Sequence, residues 1–175
     1  MTDCNKYNPY PDTFSIRCPN CRKEATFSFP FIFLWGNADN TQRQIQEHAL
    51  PGCKLDKWGG WTILVNFPDL FPWEPPASGG RRRDDMGACV CGYCGTRALH
   101  RLNWPQDAYF ACDVRGHTLW AWTRGHAQAL KSYIESGDRK TYPGYYLFLR
   151  HIPKVFLLAK NRETVSKKIQ RMLSV

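Results

Sequence analysis

The spacing of apolar and polar side chains along this chain predicts three helices. The helix at the C-terminus covers 161–175, with a basic opposite face and Asn161 as a candidate N-cap. Its apolar residues recur at helical spacing, namely Val165, Ile169, Met172 and Leu173. Two more helices are expected at 37–50 and 126–136, because each is followed by a helix-stopping glycine or proline.

Strands are predicted where aromatic and β-branched residues alternate or cluster over short runs. The segment 25–34 reads as a strand interrupted at Pro30, and 61–67 reads as another. A hairpin is expected over 108–123, with its turn at 114–117 and two tryptophans on one face. Helices and antiparallel hairpins in one chain predict an α+β fold.

Two pairs of cysteines at CxxC spacing are the most specific chemical signal in the sequence. Cys18 and Cys21 form one pair, and Cys91 and Cys94 form the other. Structural zinc takes four thiolate or imidazole ligands in a tetrahedron, and each CxxC turn presents two sulfurs on one side. Gly95 suits the positive φ that often follows the second cysteine of such a turn, whereas Arg22 occupies the corresponding position in the first pair.

With these four cysteines, the chain resembles the zinc-ribbon superfamily, in which two such knuckles clamp one metal ion. The resemblance covers the cysteines and the strands beside them, and it implies one structural Zn²⁺. Here 69 residues separate Cys21 from Cys91, where the compact pattern has roughly 15–20, so an insert at about 37–86 is expected. We therefore expect a ribbon core over 1–136, including the 108–123 hairpin, with a basic helical extension over 137–175 packed on it.

Other cysteine and histidine residues offer alternative ligand sets. Cys89 could replace Cys91, although only Cys91 makes a CxxC with Cys94. His48, Cys53 or His100 could also replace one cysteine. A second set without paired spacing is arithmetically possible, comprising Cys4, Cys53, Cys89 and Cys112.

The net charge of +9 is concentrated near the C-terminus. Residues 139–175 hold nine Lys or Arg against one acidic residue, Glu163, and so carry eight of those nine charges. Such a basic segment favours nucleic-acid binding, DNA or RNA, as part of a larger complex. The expected contacts are Arg81, Arg82, Arg83, Lys160, Arg162, Lys167, Lys168 and Arg171. The simpler interpretation of Lys167, Lys168 and Arg171 is the solvated face of a helix.

Two other functional classes remain open. Trp58, Trp61, Trp73 and the Pro-rich run at 67–76 are typical of an aromatic docking surface for a protein partner, or of a core under an insert. A zinc-stapled HNH-like nuclease would draw on His100, Asn103, His117 and His126, but they do not form its paired pattern. Without a complete catalytic motif, we expect a binding protein, no enzyme and no small-molecule cofactor.

The cellular location is predicted from what the sequence lacks. No apolar run reaches the roughly 18 residues of a membrane helix, and the start of the chain has no signal-peptide pattern. In the reducing cytoplasm that this indicates, paired cysteines favour metal binding over disulfides.

Overall fold

The computed structural model describes residues 11–58, 60–70, 85–136 and 144–174 and confirms the α+β class. Within these residues the strands are β1 (Thr13–Arg17), β2 (Glu24–Ser28), β3 (Phe31–Leu34), β4 (Lys54–Trp58), β5 (Trp61–Val65), β6 (Met86–Val90), β7 (Arg97–Arg101), β8 (Phe110–Val114) and β9 (His117–Ala121). The helices are α1 (Ala38–His48), α2 (Arg124–Glu135), α3 (Tyr146–Arg150), α4 (Lys154–Leu157) and α5 (Ala159–Leu173).

The chain divides into two compact units. The cysteine unit is Cys18–Asn103, and the helical unit combines Met1–Arg17 with Trp104–Val175. These limits differ from a division after residue 136, because β8, β9 and α2 belong to the same unit as α5. The 108–123 hairpin forms as expected, but it lies in the helical unit and not with the cysteines.

The cysteine unit contains two antiparallel sheets. In one, β6 lies between β2 and β7, so that Cys89 is opposite Phe27 on one side and Ala98 on the other. In the other, β5 lies between β3 and β4, and its Ile63 and Leu64 are fully buried. The expected break at Pro30 is confirmed, because β2 ends before this proline and β3, which follows it, belongs to the second sheet.

Helix α1 confirms the helix predicted at 37–50. Asn37 caps it, since its side-chain oxygen accepts a hydrogen bond from the Asn40 amide at 3.0 Å. The buried side chain of Gln44 donates to the Trp35 carbonyl at 2.8 Å and so anchors the helix to the chain that enters it. The helix ends before Pro51, as the missing amide of proline requires.

The helical unit is built around α2 and α5, which pack on each other and on the β8–β9 hairpin. Val165 and Ile169 of α5 are fully buried, as their helical spacing predicted. The predicted cap is wrong, because α5 begins at Ala159 and Leu158 is its N-cap. Asn161 is only 1% exposed, and its side-chain amide donates to the Val155 carbonyl at 2.7 Å. In the described ranges no helix is both long and apolar enough to cross a membrane.

Candidate metal centre

The two CxxC segments fold into turns with the same backbone hydrogen bonds. In the first, the Cys18 amide donates to the Lys23 carbonyl at 2.8 Å and the Arg22 amide to the Cys18 carbonyl at 3.0 Å. In the second, the Cys91 amide donates to Thr96 at 2.8 Å and the Gly95 amide to Cys91 at 3.1 Å. Each turn therefore presents its two sulfurs from one tight loop.

The residue after the second cysteine has positive φ in both turns. Gly95 has φ of 72°, as the sequence predicted, and Arg22 has φ of 64° at the corresponding position. A side chain in this left-handed region is strained, whereas glycine adopts it freely. The first turn therefore keeps the knuckle geometry despite an unfavourable residue.

The sulfurs of Cys18, Cys21, Cys91 and Cys94 converge in one cluster in which all lie within 4.8 Å of one another. The Cys18–Cys94 and Cys21–Cys91 sulfur distances are both 3.6 Å. A tetrahedron with metal–sulfur bonds of about 2.3 Å has edges of about 3.8 Å, so the cluster fits a four-thiolate metal site and is compatible with zinc. A disulfide is excluded because its sulfurs lie about 2 Å apart.

Four protein ligands close the first coordination shell of such an ion. Open catalytic zinc sites keep one position for water or substrate, whereas structural sites do not. Cys18 and Cys91 are buried, and Cys94 is exposed at the rim. The four-cysteine donor set is therefore compatible with a structural metal site.

Polar neighbours of Cys94 complete the site, and the sequence interpretation missed them. The Thr96 hydroxyl lies 3.0 Å from the Cys94 sulfur, and the Asn20 side-chain amide donates to that sulfur at 3.7 Å. The hydrogen bonds from the Thr96 side chain and backbone lower the pKa of Cys94 to about 6, which favours the thiolate that binds metal. The positions of Asn20 and Thr96 could have revealed them in the sequence, since each lies within two residues of one of the clustered cysteines.

Strand pairing brings the two distant knuckles together. The first knuckle leads into β2, the second follows β6, and these strands pair with Thr26 opposite Val90. The Cys91 thiol accordingly lies 3.8 Å from the Glu24 carbonyl. Between the two strands, the sheet of β3, β5 and β4 and helix α1 form the insert, which begins at Phe31 and not near residue 37.

Among the described residues, none of the alternative ligands belongs to the four-cysteine group. Cys89 is fully buried in β6, where burial first and neighbouring thiols second raise its pKa to about 11. His100 packs edge-on against Phe27 with ring centroids 6.2 Å apart. In the part of the chain that the structure describes, the only cluster of three or more metal-ligating side chains is the four-cysteine group, so His48, Cys53 and Cys112 belong to none. Cys4 lies outside the described residues.

The predicted basic contacts divide into three groups. Arg81, Arg82 and Arg83, like Trp73, lie outside the described residues. On α5, Lys160, Lys167 and Arg171 are exposed, whereas Arg162 is half-buried. Lys168 donates from its ammonium to the Asp113 carbonyl and so links α5 to strand β8.

Of the histidines considered for a nuclease, His100 belongs to the cysteine unit, whereas His117 and His126 pack against aromatic rings in the helical unit. His117 contacts Phe156 with centroids 6.3 Å apart, and His126 contacts Trp122, Tyr145 and Phe148. Among the described residues, no histidine shares a metal-ligating group with cysteines or carboxylates.

Comparison with known proteins adds no relative to this description: no family model, no curated protein and no solved structure matches the chain.

Proposed function

We propose that this chain is a zinc-stabilised nucleic-acid-binding module, and not an enzyme, that serves as a recognition subunit of a larger complex. Its four clustered cysteines hold one structural Zn²⁺, and α5 contacts the phosphate backbone. Zinc suits four thiolates in a closed tetrahedron and would contribute on the order of 10 kcal/mol to folding. A reducing cytoplasm, which keeps the thiols available, is part of the proposal.

The observation that carries the nucleic-acid assignment is the arrangement of charge on α5. Lys160, Lys167 and Arg171, the basic face of α5, are exposed on the side opposite to the fully buried Val165 and Ile169. At 1.5 Å per residue, the basic face extends about 17 Å along the helix. That length can meet several phosphates, since one strand of B-DNA advances about 3.4 Å per nucleotide.

An ion pair on the basic face of α5 does not prevent this face from binding phosphate. Lys167 pairs with Glu163, and the two side chains are 67% and 80% exposed. Exposed pairs of this kind contribute about 0–1 kcal/mol, so a phosphate can displace the carboxylate. Lys160 and Arg171 have no ion pair or side-chain hydrogen bond within the described ranges.

The test reverses the charge of the face and follows binding of labelled DNA and RNA oligonucleotides by fluorescence anisotropy. Lys160→Glu, Lys167→Glu and Arg171→Glu together should abolish measurable binding at moderate salt. A partial variant with Lys160→Gln and Arg171→Gln should make the negative slope of log K against log salt concentration shallower by about 1.4 to 1.8, because each of the two lost phosphate contacts contributes about 0.7 to 0.9.

A matched control carries the same change in net charge at exposed positions elsewhere, namely Arg43→Glu, Lys54→Glu and Lys57→Glu. It should retain most of the affinity. The proposal fails if the wild-type protein shows no salt-dependent binding to any oligonucleotide. It also fails if the control weakens binding as much as the α5 variant does.

A second candidate, an adaptor that docks a protein partner, is favoured by exposed apolar side chains in the insert. Leu55 is 56% exposed and Trp61 is 44% exposed, whereas Trp122 in the helical unit is 4% exposed. Exposed tryptophan is common where protein interfaces concentrate their binding energy. Salt dependence distinguishes the nucleic-acid candidate from the adaptor candidate, since the affinity of an apolar protein contact should change little with ionic strength.

A further inference from the structure

An aromatic ring stands exposed at the tip of the second knuckle. Tyr93 lies between the ligands Cys91 and Cys94 and is 61% exposed, the highest value among the large apolar side chains of the described residues. The knuckle does not need an aromatic residue there, because Asn20 takes the corresponding place in the first knuckle. Metal binding therefore does not explain why an aromatic residue occupies position 93.

The surface around Tyr93 is open on both sides along the chain. A methyl group added at Gly92 or at Gly95 would meet no atom within 4 Å. The glycines of this turn therefore place no bulk beside the ring.

A cation accompanies this ring. The ammonium of Lys23 lies over the ring of Tyr93, 4.8 Å from its centroid, so a base would stack on the other face of the ring. The neighbouring Arg22 is also exposed. An exposed ring with a cation beside it matches the chemistry of one nucleotide, whose base offers a flat π-face and whose phosphate offers a negative charge.

We propose that Tyr93 is a stacking platform for an unpaired base of single-stranded nucleic acid, with Lys23 beside it for the adjoining phosphate. This assignment rests on the proposed nucleic-acid function and narrows it to single strands at this site. A paired base is covered on both faces by its neighbours in the duplex, so Tyr93 could reach it only by unstacking it.

The charges around Tyr93 determine how binding at this site depends on salt. Zinc with four thiolates carries a net charge of −2, which the positive charges of Lys23 and Arg22 offset. Stacking on the Tyr93 ring must therefore supply most of the binding affinity at the tip of the knuckle. Loss of Tyr93 should weaken binding while the salt dependence stays the same. Loss of the basic face of α5 should change the salt dependence itself.

The experiment uses the full-length zinc-loaded chain, a labelled 12-nucleotide oligothymidine and a 12-base-pair duplex in fluorescence anisotropy. Tyr93→Ala should bind the single strand at least about fivefold more weakly than the wild type, with the duplex affinity unchanged, and Tyr93→Phe should retain binding. Leu99→Ala, which removes another exposed apolar side chain of the cysteine unit, should have no effect.

Several outcomes overturn the assignment and leave the proposed function testable by itself. If Tyr93→Ala binds the single strand as the wild type does, while charge reversal on α5 abolishes binding, the function stands and Tyr93 is left for a protein contact. An equal loss on the duplex, or loss of zinc from Tyr93→Ala by elemental analysis, also overturns it. If the wild type binds no oligonucleotide, the proposed function fails as well.

Discussion

The sulfur of Cys21 lies 3.6 Å from the sulfur of Cys91, although the two residues are 70 positions apart in the chain. Closing a loop of this size costs about 4 kcal/mol of chain entropy in the simplest model. The pairing of β2 with β6 holds the loop closed, and a metal ion bound by the four cysteines would do so as well. Metal affinity and folding of the cysteine unit should therefore depend on each other.

The first prediction removes one ligand. Cys91→Ser should lose the bound zinc and the cooperative unfolding of the cysteine unit, because three thiolates and a hydroxyl bind zinc poorly and the loop closure is lost. Zinc content by elemental analysis and thermal unfolding by circular dichroism measure the two effects. A chelator added to the wild type should reproduce them.

Cys53→Ser is the matched control, because Cys53 is half-buried in the same unit and does not belong to the metal-ligating group. It should keep one equivalent of zinc and the wild-type transition. A soluble Cys91→Ser protein that unfolds cooperatively at the wild-type temperature without metal would contradict the structural role.

Local sequence signals predicted the elements that local interactions determine. The CxxC spacing identified the four cysteines that cluster, and the proline and glycine at 51–52 marked the end of α1. The turn at 114–117 marked the β8–β9 hairpin, in which Arg115 and Gly116 have positive φ. Each of these features depends on residues close together in the chain.

Features set by distant partners were not predicted. Strand β6 (Met86–Val90) is short and rich in small residues, and its partner β2 lies about sixty residues earlier, so no local pattern reveals the pairing. The start of α5 was misplaced because Asn161 is a typical cap residue, yet its amide turns inward to the Val155 carbonyl. Periodicity alone does not show whether a polar side chain such as that of Asn161 will be buried or exposed.

The second prediction concerns the glycine of the second knuckle. Gly95→Ala should lower the free energy of unfolding by about 1–2 kcal/mol, because alanine is strained at a φ of 72°. Gly92→Ala is the control, since Gly92 lies in the same turn without positive φ and has open space around it. Urea unfolding of the zinc-loaded proteins measures both, and equal stability of the two variants would contradict the argument.

The third prediction tests the close packing between β2 and β6. A methyl group at Gly87 would meet the Phe27 ring and lie 2.5 Å from the Ser28 carbonyl oxygen. Since that oxygen belongs to the backbone, Gly87→Ala should separate the strands and destabilise the cysteine unit by about 1–3 kcal/mol. Zinc affinity should fall too, because these strands hold the knuckles together; competition with a chromogenic chelator measures it. Wild-type zinc affinity in a destabilised Gly87→Ala protein would show that the pairing does not support the metal centre.

A half-buried histidine gives the helical unit its own dependence on pH. The ring of His126 lies among Trp122, Tyr145 and Phe148, with centroid distances of 4.9 to 5.1 Å. Its Nδ1 lies 2.8 Å from the Thr123 hydroxyl. Burial disfavours the charged ring and lowers the pKa of His126 to about 4 in the folded protein.

The fourth prediction follows from this lowered pKa. An unfolded histidine has a pKa of about 6.5, so between pH 6.5 and 4 the unfolded chain binds the proton and the folded chain does not. The stabilisation from a neutral His126 is therefore complete above about pH 6.5 and is lost progressively as the pH falls towards 4. Because the ring is partly exposed, we expect a loss of roughly 1–2 kcal/mol of unfolding free energy across this window.

His126→Phe should remove this pH-dependent part of the unfolding free energy. Tryptophan fluorescence during urea unfolding at pH 7 and pH 5 measures the unfolding free energy of both proteins. Zinc release at low pH affects both proteins alike, so only the difference between them reports on His126, and identical pH dependence would contradict the assignment.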